Sequence, residues 1–145
     1  MSFIKMMDRI DREHEEAHDR LKKICGQSER LDYGDLISKV RLIVGDIEGY
    51  KIDFFVNMLA EELENSFIVN RNAWDMTIDE IKTKYDNDMD YWENAYNLYA
   101  DKDFYKDMEE FKESMMDWMI TYSLDGTFAS VEAEYKYRKS EGLIG

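Results

Sequence analysis

The chain has 145 residues, 44% of them hydrophobic, and sets 33 acidic against 19 basic side chains for a formal net charge of −14. That length suits one ordinary domain, and that apolar content is enough for a core, which excludes bulk disorder. A charge of this sign repels nucleic acid and excludes direct binding to it, since such binding requires a basic face.

Proline is absent, so no helix is interrupted by a missing backbone donor. Residues Phe3 to Cys25 read as an amphipathic helix, with Met7, Ile10, His14, Ala17, Leu21 and Ile24 at alternating spacings of 3 and 4. Ser2 is placed to cap its start and Gly26 its end. Asp32 to Gly34 reads as a turn. Leu36, Ile37, Val40, Ile43, Val44 and Ile47 form a second apolar stripe, and Ile52, Phe55, Val56, Leu59 and Leu63 a third over Ile52 to Glu64. Residues 66–72 read either as a short extended segment or as continuing helix.

Thr77-Ile78-Asp79-Glu80 matches a capping box. The helix it opens is expected to run to about Ala100, with Ile78, Ile81, Tyr85, Met89, Trp92, Tyr96 and Tyr99 inward. Asp103 is the expected cap of the next, whose Phe104, Met108, Phe111, Met115, Trp118 and Tyr122 face one side. Leu124-Asp125-Gly126 signals a turn. A last helix from Phe128 to about Lys139 turns Phe128, Val131 and Tyr135 inward. The expectation is an all-α single domain over residues 1–145, a bundle of five or six helices.

Few motifs name a chemistry. His14-Glu15-Glu16-Ala17-His18 has the H-E-x-x-H form, in which two His one helical turn apart share a zinc ion. A catalytic zinc needs a third protein ligand, and the chain has only these two His. His14 also falls on the apolar stripe, where a hydrogen-bonded core histidine is expected. Asp86, Asp88 and Asp90 alternate like the start of a calcium loop, but Tyr91 and Asn97 stand where that loop needs Gly and Glu. No metal and no cofactor is therefore expected. Cys25 is the only cysteine, so no internal disulfide forms. Met1 to His14 lacks the apolar core of a secretory signal. No stretch approaches the roughly 18 apolar residues of a membrane span. A cytoplasmic protein is expected (in the host cytoplasm if the source is viral), with no membrane contact.

Glu13 and Glu16 followed by Glu29 and Asp32 give E-x-x-E then E-x-x-D. This resembles the magnesium-binding pattern of the all-helical MazG-like nucleotide pyrophosphohydrolases. The resemblance covers about twenty residues, and implies four carboxylates facing one another between helices to hold magnesium against a phosphate.

The strongest signal is where the charge sits. Residues 1–50 carry 11 acids and 9 bases, residues 51–126 carry 19 and 7, and residues 127–145 carry 3 and 3. Between Asp75 and Asp117, 14 acids meet 5 bases in a segment dense with aromatic residues. Asp79, Glu80, Asp86, Asp88, Asp90, Glu93, Asp107, Glu109, Glu110, Glu113 and Asp117 fall on expected outer faces, with Tyr91 and Tyr105 as candidate anchors. Carboxylates four apart on a helix rise by about 6 Å, a spacing close to that of phosphates along a strand. Such like-charge pairs repel by a few tenths of a kcal/mol each. The expectation is a non-enzymatic inhibitor of the phage or immunity type. It would occupy the basic groove of a nucleic-acid-binding protein such as a nuclease, CRISPR effector or polymerase. The alternative is a structural or interaction protein, with the heptad stripes pairing two copies as a homodimer.

Overall fold

Capping and apolar spacing divide the chain into α1 (Phe3–Cys25), α2 (Tyr33–Val44), α3 (Gly49–Val69), α4 (Ile78–Tyr85), α5 (Met89–Tyr99), α6 (Met108–Thr121) and α7 (Leu124–Ser140). The computed structural model describes residues 3–45, 47 and 49–143, with side chains for 12–45, 47 and 51–143. The expected Ser2 cap and the side chains of Met7 and Ile10 lie outside the described residues. Those residues contain no strand, so the all-α expectation holds, with seven helices in place of five or six. None of these helices is long and apolar enough to cross a membrane.

The departures from expectation trace to helix ends. Residues 66–69 continue α3 and form no extended piece, because Phe67 packs into the core beside Trp74. The helix expected from Thr77 to Ala100 is two. The Thr77 capping box opens α4, and the chain breaks at Asp86 to Asp88. Asp88 then caps α5, its carboxylate accepting from the Tyr91 N–H at 3.1 Å. Asp107, not Asp103, caps α6 by accepting from the Glu110 N–H at 2.9 Å. The expected turn at Asp32 to Gly34 is the start of α2, with Asp32 accepting from the Asp35 N–H at 3.0 Å. Leu124-Asp125-Gly126 is the first turn of α7, under a Ser123 cap whose Oγ accepts from the Gly126 N–H at 3.1 Å. Gly45 ends α2 at φ +64°, a left-handed conformation that favours glycine.

The helices bury two apolar clusters. In the first, Leu21 and Ile24 of α1 and Val40 and Val44 of α2 meet Phe55, Leu59 and Leu63 of α3 and Phe128 and Val131 of α7. Burying each such leucine or phenylalanine stabilises by about 1.5–3 kcal/mol. In the second, Ile81 and Tyr85 of α4, Trp92 of α5 and Phe111, Met116 and Met119 of α6 pack with Ala73 and Met76 of the α3–α4 connection. Trp92 donates its indole N–H to the Tyr85 carbonyl at 2.6 Å, which pairs its own buried donor.

Polar bonds join the two halves where the α3–α4 connection meets the α6–α7 corner. Asn70 Nδ2 donates to the carbonyls of Met119 (3.1 Å) and Tyr122 (3.2 Å). The Leu124 N–H donates to the Met76 carbonyl at 3.0 Å, and Asp125 Oδ2 accepts from the Ile78 N–H at 2.7 Å. Gly126 lies against the end of α6, where a Cβ would sit 2.3 Å from the Thr121 carbonyl oxygen and 2.4 Å from that of Ile120. Both are backbone atoms that cannot yield cheaply. Gly126→Ala is expected to cost about 1–3 kcal/mol of stability, seen as a lower urea midpoint with an unchanged slope. An unmoved midpoint would show that this corner tolerates a wider separation.

Candidate functional site

Helices α4 to α6 carry the acidic region outward. Of the eleven acids expected there, ten are exposed and Glu80 is half-buried. Their local roles differ. Asp88 and Asp107 are N-caps, Glu80 closes the capping box, and Asp79, Asp90, Glu109 and Glu110 occupy first helical turns. A carboxylate near a helix N-terminus is stabilised by the dipole by about 0.3–1 kcal/mol, so these seven have a reason to be acidic that involves no partner. Glu80 also pairs with Arg30, and Asp86 with Lys112 at 3.4 Å. Glu93, Glu113 and Asp117 have neither a helix-terminal role nor an ion pair among the described residues. Glu113 and Asp117 lie one turn apart on α6, so the fold retains their mutual repulsion.

On the same helices a groove of about 450 Å³ opens between α5, α6 and the end of α3. Tyr91, Tyr99, Tyr105 and Trp118 line it, with Asp101 and Arg71 contributing polar atoms. Tyr91 is 40% exposed and its ring lies against Tyr85 and Trp92. Partial burial, then the neighbouring Tyr85, Asp88 and Tyr99, raise its phenol pKa above the usual 10.0, so the hydroxyl stays neutral. Tyr105 is half-buried, packed on Phe111, with its hydroxyl 3.2 Å from Ser114 Oγ; this contact makes it part of the wall. Sequence reasoning turned Tyr99, Phe104 and Trp118 inward. They are 80%, 72% and 44% exposed, while Met116 and Met119 fill the core. Phe104 falls in the break before α6, while Tyr99 and Trp118 lie in unbroken helices whose apolar stripe is wider than the face that the neighbouring helices cover. The capping aspartates Asp88 and Asp107 were the sequence signal of the breaks before α5 and α6.

A second cluster lies on the other half. His14 and His18 are one turn apart on α1, and α1 packs against α3. Asp53 of α3, 7% exposed, receives both: His14 Nδ1 lies 2.8 Å from Oδ2 and His18 Nε2 lies 3.1 Å from Oδ1. The other nitrogen of His18 hydrogen-bonds the Tyr33 hydroxyl. His14 was expected in the core, but its side chain is 56% exposed. Asp53 was missed altogether, since one acid in a charge-rich chain carries no spacing signal. Among the described residues this trio is the group of His, Cys, Asp or Glu side chains close enough to share an ion. Glu13, Glu16, Glu29 and Asp32 form no such group: Glu29 lies in the α1–α2 loop and Asp32 is spent as the α2 cap. Cys25 is buried, and burial together with the nearby Asp32 raises its thiol pKa, the opposite of what a nucleophile needs.

Comparison with protein-family models, with curated proteins and with solved structures finds no match to this chain.

Because Tyr91 titrates above 10.0 when folded, the folded chain keeps a proton that the unfolded chain releases. The associated stability is full below about pH 10 and falls as pH rises through the folded value. Tyr91→Phe is expected to flatten part of the alkaline decline in the urea midpoint between about pH 9 and 11. An equally steep decline in the variant would show that the phenol does not contribute.

Proposed function

We propose that this protein is a non-enzymatic, stoichiometric binder of a basic nucleic-acid-binding protein. It acts as an inhibitor of the phage or immunity type whose carboxylates take the place of nucleic-acid phosphates. The observation that supports this reading is the set Glu93, Glu113 and Asp117: exposed, outside any ion pair among the described residues, and away from helix N-termini. They stand on the helices whose Tyr91, Tyr99 and Trp118 line the groove. Carboxylates and exposed aromatic rings carried on the same two helices suit a partner rich in arginine and lysine, which pair with the one and stack on the other. A cation over an aromatic ring adds about 0.5–1 kcal/mol when exposed and about 2 when desolvated. The net charge of −14 would speed encounter with a basic groove, and salt would weaken it.

The test is a panel of a purified nuclease, a CRISPR effector and an RNA polymerase, assayed for inhibition and for competition with duplex DNA. Reversing Glu93, Glu113 and Asp117 to Lys is expected to slow association about tenfold or more at low salt. A control triple elsewhere, Glu61→Lys, Glu132→Lys and Glu141→Lys, makes the same change in net charge and should have a much smaller effect. Equal losses in both triples would reduce the effect to bulk charge. Binding that duplex DNA fails to displace would remove the mimicry.

A further inference from the structure

We propose that His14, His18 and Asp53 form a binding site for a divalent transition metal, of which zinc is the best fit, clipping α1 to α3. Two imidazoles and a carboxylate suit zinc and its first-row neighbours and disfavour calcium and magnesium, which take oxygen ligands. The separations fit as well. Zinc holds imidazole nitrogen and carboxylate oxygen at about 2.0–2.2 Å, which sets tetrahedral ligands about 3.3 Å apart. The two nitrogen-to-oxygen distances here are 2.8 and 3.1 Å, and the three ligand atoms all lie within 4.8 Å of one another. Rotation of the side chains brings the three atoms to the tetrahedral spacing.

The surroundings are those of a built site. Asp53 is buried and presents both oxygens to imidazoles. The His18 side chain is 13% exposed, and its Nδ1 hydrogen-bonds the Tyr33 hydroxyl. With the ring neutral and Nε2 on a metal, Nδ1 carries the proton and donates it to Tyr33. Such an outer partner orients a metal-ligating imidazole. The His14 side chain is 56% exposed, so the cluster faces solvent on that side. Three protein ligands leave the fourth position for water or for an atom of a partner. The site lies on α1 and α3, apart from the acidic groove, and stands or falls independently of it.

The test is titration of the chelator-treated full chain with zinc chloride, with binding followed by calorimetry and by a competing chromophoric chelator. One equivalent is expected to bind and to raise the melting temperature. Cobalt(II) in its place should give the intense visible bands of a tetrahedral ion with nitrogen and oxygen ligands. Asp53→Asn and His18→Gln are each expected to weaken binding tenfold or more. His14→Gln, at the exposed end, should do the same without disturbing the core, and it keeps the test valid if a buried variant fails to fold. Cys25→Ser should leave binding unchanged. Absence of saturable binding of one equivalent would overturn the site, as would binding that survives His14→Gln or depends on Cys25.

Discussion

The meeting of the α3–α4 connection with the α6–α7 corner is the constraint on which the rest of the molecule depends. Two apolar clusters, neither large, lie on either side of it. Asn70 turns its amide on two carbonyls that the end of α6 would otherwise leave unpaired, and Asp125 of α7 caps the start of α4. These bonds cross sequence separations of about fifty residues. They hold the α6–α7 corner against the connection that follows α3 and against the start of α4. Gly126 lets α7 leave the corner close enough to join both halves, and α7 touches α3, α4 and α6.

That geometry decides what the acidic region can do. Most of its carboxylates serve the helices that carry them, as caps or first-turn residues worth a fraction of a kcal/mol to about 1 kcal/mol each. A strongly acidic sequence therefore follows in part from having several short helices, each with its own N-terminus. Glu93, Glu113 and Asp117 have no such origin, and they share α5 and α6 with exposed tyrosine and tryptophan rings. Sorting the acids by local role leaves three of the eleven with neither a helix-terminal role nor an ion pair among the described residues.

The histidine–aspartate cluster has a different basis. A carboxylate buried among packed helices is costly unless it is hydrogen-bonded. Asp53 meets that requirement through two imidazoles that one helical turn places side by side, with ring centroids 4.2 Å apart. The same arrangement that satisfies a buried acid also gathers the donor set of a metal site. The cluster thus ties α1 to α3 through polar groups, next to the apolar contacts of Leu21 and Leu59.

The extent of α1, the capping box at Thr77 and the inward faces of α2 and α3 were legible in the sequence, because each depends on residues within a turn or two of one another. The outward position of the acids on α4 to α6 was legible for the same reason: a charged group without a buried hydrogen-bonding partner stays in water. The break at Asp86 to Asp88 was marked only by the capping Asp88; hidden were the exposure of Tyr99, Phe104 and Trp118 and the pairing of Asp53 with His14 and His18. Aromatic residues suit a core and a groove wall equally well, so spacing cannot say which face is covered. Asp53 lies 39 residues from His14, and nothing local marks the pair. Local hydrogen bonding and apolar periodicity determined the helices; only the packing of α3 against α1, and of α5 against α6, decided which side chains meet, because such contacts join residues that the chain itself keeps apart.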